Sequence, residues 1–205
     1  MDITKTTTTK QTNNVMNANN AITLHPTTWE ELRVIIEYEL ERQGMDADLN
    51  HIDVSGVTDM SDLFRELDIR HIKIDKWDVS NVTNMESMFE DAYFFNADLS
   101  SWDVSNVQNM KRMFYSARSF NCDISNWNVS SVTDMSYMFY DARSFNCGLS
   151  KWAVSSILHA EYITGMFTGA TSFKGDPSVW NVPEIIQWAT LELSRRKVAN
   201  VALTD

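Results

Sequence analysis

One nine-residue phrase recurs in this chain: WDVSNVTNM from Trp77, WDVSNVQNM from Trp102, WNVSSVTDM from Trp127, and a decayed copy, WAVSSILHA, from Trp152. The four tryptophans stand 25 residues apart. A fixed period of this length confines a chain to architectures in which one small unit stacks on copies of itself. Other positions keep the same register. Val57, Val82, Val107, Val132 and Ile157 form one column, and Met60, Met85, Met110 and Met135 a second. Leu63, Met88, Met113 and Met138 form a third, and Phe64, Phe89, Phe114 and Phe139 a fourth. Ala92, Ala117 and Ala142, then Phe95, Phe120 and Phe145, continue the pattern. After Ile157 the spacing lengthens by three, so Phe167, Ala170, Phe173 and Trp180 match Phe139, Ala142, Phe145 and Trp152 at 28. A single unit cannot hide its apolar side; its neighbours hide it. The Met and Phe rows therefore read as core, and no cofactor is needed to explain them.

Two local periods operate inside each unit. In VTNMESMFEDA (82–92), Met85, Met88 and Phe89 are three and four apart, which predicts a short helix. In FNADLS (95–100), Phe95, Ala97 and Leu99 alternate with Asn96, Asp98 and Ser100, which predicts a short strand. Strands from successive units should align in parallel, about 4.8 Å apart. Asp78, Asp103 and Asn128, each with Ser two residues on, suit the turns between strand and next helix. Upstream, TTWEELRVIIEYELERQ (27–43) reads as a helix with a Thr28–Glu31 capping box and Gly44 as its stop. Trp29, Leu32, Ile35, Ile36 and Leu40 form its apolar face. Downstream, PEIIQWATLELSRRKVA (183–199) reads as a second helix, with Pro183 in its first turn. Residues 1–25 are rich in Thr and Asn and are expected to lack stable structure. The expected organisation is one α/β solenoid domain over 26–205: a cap helix within 26–50, repeats over 51–182, and a second cap helix over 183–199.

At WDVSNVTNMESMFEDAYFFNADLSSWDVSNV the chain resembles the BspA-like family of leucine-rich-repeat proteins, over about residues 50–182. The resemblance implies a right-handed α/β solenoid with a parallel sheet and no shared catalytic residues. Members of that family include surface proteins and adhesins, and also small unexported proteins that act as immunity proteins beside polymorphic toxins.

Composition narrows the function. The net charge is −11 and there is no basic run of the kind that grips nucleic acid or an anionic membrane surface. An acidic balance is compatible with a basic protein partner. No stretch approaches 18 consecutive apolar residues, and the start MDITKTTTTKQTNN lacks the apolar core of a secretory signal. A cytoplasmic location is the expectation if Met1 is the native start. Cys122 and Cys147 are 25 apart, at the inward small-residue position that Ala97 fills, and are expected to be free thiols. His25, His51, His71 and His159 are scattered, and no metal set is read from them.

On the expected strand face three polar columns point to solvent, containing His71, Asn96 and Asn121; Lys73, Asp98 and Asp123; and Asp75 and Ser100. Asp98 and Asp123 could in principle act as acid and base, but they arise from repetition of the unit. The columns serve to hydrogen-bond one another or loop backbone, or else to receive a basic partner. On the expected short helices, Glu86, Ser87, Glu90 and Asp91 give way to Lys111, Arg112 and Tyr115, and then to Ser136, Tyr137, Tyr140 and Asp141. Exposed tyrosines are favoured at protein interfaces. The irregular stretch Ile157 to Gly169 is expected to break the stack. The candidate partner-binding residues are His71, Lys73, Asp75, Asn96, Asp98, Ser100, Asn121, Asp123, Tyr115, Tyr137 and Tyr140, with no catalytic residue, cofactor, metal or small-molecule substrate. Joined to what the BspA-like resemblance implies, these features predict a non-enzymatic immunity protein that occludes the active site of a basic toxin domain, such as a nuclease. An exported adhesin, here without its signal, is the alternative.

Overall fold

The computed structural model describes residues 14–16, 22–175 and 180. Strands β1 (Asn14–Met16) and β2 (Ile22–Leu24) pair antiparallel. Helix α1 spans Trp29–Gln43, and a single 3-10 turn spans Ala160–Ile163. The repeats in between contain no other helix and no strand among the described residues. The expected α/β solenoid of short helices and parallel strands is therefore corrected: the coils are built of turns. Parallel contact between successive coils reduces to isolated bridges, Asp59 to Asn84 to Asn109 to Asp134, and Asp48 to Lys73.

The segment read as helical shows why. Met85, Ser87, Phe89 and Asp91 donate their backbone N–H groups out of the coil, to the carbonyls of Asn109, Lys111, Met113 and Tyr115 at 2.8–2.9 Å. The residues between them, Met88, Glu90 and Ala92, bond back three residues to Met85, Ser87 and Phe89. An α-helix would spend all these donors inside itself. Turning alternate donors outward requires left-handed backbone at two positions per coil. Asp62 and Glu66, Ser87 and Asp91, Arg112 and Ser116, and Tyr137 and Asp141 all have φ between 51° and 60°. Each such residue costs about 1–2 kcal/mol, against four inter-coil bonds per coil worth about 0.5–1.5 kcal/mol each. In the last described coil the two positions are Gly165 and Gly169, for which positive φ carries no Cβ penalty.

The side chains converge as the columns demand. The Phe64, Phe89, Phe114, Phe139 and Phe167 rings stack in one file at 5.3–5.7 Å between centroids. Phe95, Phe120, Phe145 and Phe173 stack in a second at 5.8–5.9 Å. Within a coil the two files touch: Phe89 and Phe95 are 3.9 Å apart. Each tryptophan from Trp77 to Trp152 is buried and donates its indole N–H to a carbonyl of the coil before. Trp77 bonds Leu49, Trp102 bonds Ile74, Trp127 bonds Leu99 and Trp152 bonds Ile124, at 3.0–3.1 Å. The one polar atom of each indole is thus satisfied inside the core.

Helix α1 closes the first coil. Thr28 caps it, its side chain accepting from the Glu31 N–H, and Leu32 and Ile36 are buried. Trp29 Nε1 donates to the Ser61 carbonyl at 2.5 Å, and Arg33 Nη1 to the carbonyls of Asp62 and Leu63 at 3.2 and 2.6 Å. Ser61 and Leu63 correspond to Glu86 and Met88, whose carbonyls accept from the preceding coil. Two side chains of α1 therefore stand in for a coil that is not there. β2 joins the same end: Asp53 N–H donates to the Leu24 carbonyl at 2.8 Å, and His25 pairs with Asp53 at 2.8 Å.

The stretch Ile157 to Gly169 does not break the stack, contrary to expectation. Met135, Tyr137, Phe139 and Asp141 still donate to the next coil, to Tyr162, Thr164, Met166 and Thr168. The three extra residues are taken up beside the 3-10 turn, where Leu158 is 73% exposed. The helix expected over 183–199 lies outside the described residues. So does most of the segment 1–25, within which β1 and β2 form. No helix among the described residues is long and apolar enough to cross a membrane.

Candidate interaction surface

The eleven residues named from the sequence fall into two groups, and among the described residues no hydrogen bond, ion pair or ring contact joins one to the other. The first group follows the FNADLS segments, and its polar atoms are spent on the fold. The side-chain carbonyl of Asn96 accepts the Asn121 N–H at 2.9 Å, and Asn121 does the same for Asn146. Asp98 takes both the N–H and the hydroxyl of Ser100, at 2.9 and 2.7 Å. Asp123 takes the N–H of Ser125 at 3.0 Å. These bonds, led by Ser100 on Asp98 and by the Ser125 N–H on Asp123, hold both carboxyls below the usual range. Neither has the raised pKa that a general acid needs near neutral pH. Asp75 accepts from Asn50 at 2.9 Å, Lys73 pairs with Asp48 at 3.3 Å, and His71 Nδ1 meets the Asn96 carbonyl at 3.2 Å.

Cys122 and Cys147 are free, half-buried thiols beneath the same columns. Cys122 accepts the Leu99 N–H, and Cys147 lies 3.3 Å from Asp123. Burial pushes the Cys147 thiol up to about 11, and Cys122 upward too, so neither is a ready nucleophile. Among the described residues no three His, Cys, Asp or Glu side chains gather to hold a metal ion.

The second group lies on the turn segments, where the coils cease to resemble one another. The Tyr115 and Tyr140 rings stack at 4.6 Å, and Tyr137 meets Tyr140 edge-on at 6.1 Å. Residue 112 was a varied position in the sequence but not a named site; its guanidinium lies over Tyr115 at 5.6 Å and over Tyr137 at 5.8 Å. Tyr137 in turn rests on Gly165, where any side chain would collide with its ring. All three tyrosines are half-buried: fixed at the base and open at the edge. Burial, with Tyr140 alongside, raises the Tyr115 hydroxyl above its ordinary value.

The face continues in both directions. Lys111 pairs with Glu86 at 3.2 Å. Glu90, only 4% exposed, takes the Ser87 hydroxyl at 2.6 Å and lies between Arg65 at 3.4 Å and Arg112 at 3.9 Å. Beyond it, a cleft of about 610 Å³ is lined by Trp29, Arg33, Glu37, Asp62, Arg65 and Glu66. Sequence reasoning missed two further aromatics, Tyr93 and Phe94, which are 42% and 52% exposed. Arg118 lies over Tyr93 at 4.8 Å and Arg70 over Phe94 at 5.3 Å. The signal was present: both interrupt the alignment as large aromatics at a position where the next coil has Arg118 and Ser119.

Comparison with known proteins agrees with the repeat and says nothing of an activity. No curated protein and no solved structure gives a match. One family profile matches twice, over residues 37–132 and 113–201, and together these matches span most of the chain. The chain accordingly belongs to the family described as Mycoplasma protein of unknown function, DUF285.

Proposed function

We propose that the chain is a non-enzymatic protein-binding module that recognises its partner through the turn-segment face. The observation that carries this reading is the cluster of Tyr115, Tyr137 and Tyr140 around Arg112. Tyr and Arg are among the residues that carry most of the binding energy at protein interfaces, where they become fully desolvated. Here the rigidity is supplied by stacked coils, so little ordering entropy remains to be lost on binding. The Asp98 and Asp123 carboxylates, already committed to Ser100 and Ser125, offer no comparable chemistry.

The resemblance to the small unexported BspA-like proteins gives the reading its specific form, an immunity protein that covers the active site of a cognate toxin domain. The −11 charge supports long-range steering of a basic toxin toward the chain. Co-expression with the product of the neighbouring reading frame tests it. The expected result is rescue of growth and a stable complex, with a Tyr115→Ala/Tyr140→Ala double variant binding at least roughly 30-fold more weakly. Unrelieved toxicity, or a neighbour that neither inhibits growth nor binds, would discard the immunity reading.

A further inference from the structure

Arg112 differs from most other arginines on this face. Arg65, Arg118 and Arg143 have carboxylates within 2.8–3.4 Å. Among the described residues no hydrogen bond reaches the Arg112 guanidinium, and its one ion pair is at 3.9 Å, to a carboxylate that also serves Arg65. The two tyrosine faces supply instead what fixes it. A guanidinium placed over aromatic rings and without hydrogen bonds to its N–H groups keeps its fork available to take a carboxylate through two parallel hydrogen bonds. Its side chain is 44% exposed, so the fork is reachable. Residues 104–122 contain Lys111, Arg112 and Arg118 and neither Asp nor Glu; across the stack Lys111 and Arg118 are spent on Glu86 at 3.2 Å and Asp141 at 3.0 Å, which leaves Arg112, with the most distant carboxylate, the capacity for another.

We propose that Arg112 is the specificity-determining residue of this face and receives an Asp or Glu side chain from an extended segment of the partner protein, with Tyr115, Tyr137 and Tyr140 packing beside it. This rests on the protein-binding reading above and adds the chemistry of the contacted segment. A basic partner steered by the overall charge would present this carboxylate as a local exception.

The test is selection of a displayed library of random peptides against the full chain, followed by binding measurements on the selected peptides. The expected result is peptides that pair an acidic residue with an aromatic or aliphatic one. Their affinity should fall at least about tenfold for both Arg112→Gln and Arg112→Lys, since Lys retains charge but not the fork. It should be unchanged for Lys73→Gln on the other face. Three results would each overturn the proposal: selected peptides that are basic, affinity indifferent to residue 112, or no selected peptide at all. Competition by inorganic phosphate but not by glutamate would also overturn it, by assigning the fork to a phosphate. If acidic peptides bind at Arg112 while the neighbouring gene product does not bind the chain, the immunity reading fails and the carboxylate site stands.

Discussion

The column of Asn96, Asn121 and Asn146 and the column of Glu90, Tyr115 and Tyr140 are set by the same 25-residue period, yet they do opposite things with it. In the first, identical side chains pass one hydrogen bond from coil to coil, and each amide carbonyl is used up by the backbone of the next unit. In the second, main-chain hydrogen bonds that do not depend on side-chain identity link the coils, from Glu66 N–H to the Glu90 carbonyl and from Asp91 N–H to that of Tyr115. The side chain is then free to change. A repeat protein can vary its surface only where its stacking does not depend on what the side chain is. Recognition accumulates there, and regularity marks the positions that the fold itself consumes.

Substitutions can break this contrast or sharpen it. The largest effect belongs to the shared interior: Phe114→Ala, which interrupts one ring file and removes its contact with Phe120 of the other, should cost about 3–5 kcal/mol in chemical denaturation. A small loss would mean the rows are not the core. Gly165→Ala comes next, at more than about 1 kcal/mol, because it forces a side chain into positive φ beneath the Tyr137 ring. An unaltered melting temperature would refute that account of the face. Asn121→Ala should cost about 0.5–1.5 kcal/mol while leaving partner binding intact, and Asn121→Asp, which keeps the acceptor, should recover most of it. Loss of binding in the alanine variant with stability preserved would invert the assignment of the two columns.

Two further expectations concern protons. Asp98 and Asp103 are held below their ordinary pKa by the Ser hydroxyls and N–H groups two residues on. A lowered folded-state pKa adds stability that is present above the unfolded value and is lost as pH falls through the folded one. Stability should therefore be flat from neutral pH to about 5 and decline below about 4; a decline beginning near pH 6 would point to other groups. The smallest effect is kinetic. Cys147 should resist alkylation at pH 7–8 in the native chain and react readily once unfolded, since its thiol is raised to about 11. Equal rates in both states would contradict its burial.

What the chain shows as letters and what it withholds follow from the same physics. The register, the aromatic files and the tyrosine trio are legible because stacking demands identity, or permits variation, at fixed intervals. The conformation of VTNMESMFEDA is not. A spacing of three and four suits a helix, and it suits equally a turn that buries Met85, Met88, Phe89 and Ala92 on one side. The left-handed positions hold Asp62, Ser87, Arg112 and Tyr137 in one column, which share no chemistry, and Glu66, Asp91, Ser116 and Asp141 in the other; only Gly165 and Gly169, in the last described coil, betray the backbone they adopt. In FNADLS the alternation was read with the correct sides: Phe95, Ala97 and Leu99 are buried, and Asp98 and Ser100 exposed. The strand was not there because side chains replace its ladder. Glu90 is one of the varied positions in the sequence, and only the arrangement of Arg65 and Arg112 reveals why it is covered.

From Met85 to Asp91 and at the equivalent positions the outward N–H groups point toward the following coil, whereas Thr83, Gln108 and Thr133 donate to the coil before, so this part of the pile has a direction. Its beginning offers carbonyls, which is why the groups that α1 lays across it are the donors of Trp29 and Arg33. Between the ends, any coil receives what it passes on. A chain in which Val82 is followed directly by the residues after Val107 would thus be one storey shorter with both landings unchanged. The drop in its unfolding temperature would measure what a single storey adds, and failure to fold would show that the storeys are not interchangeable.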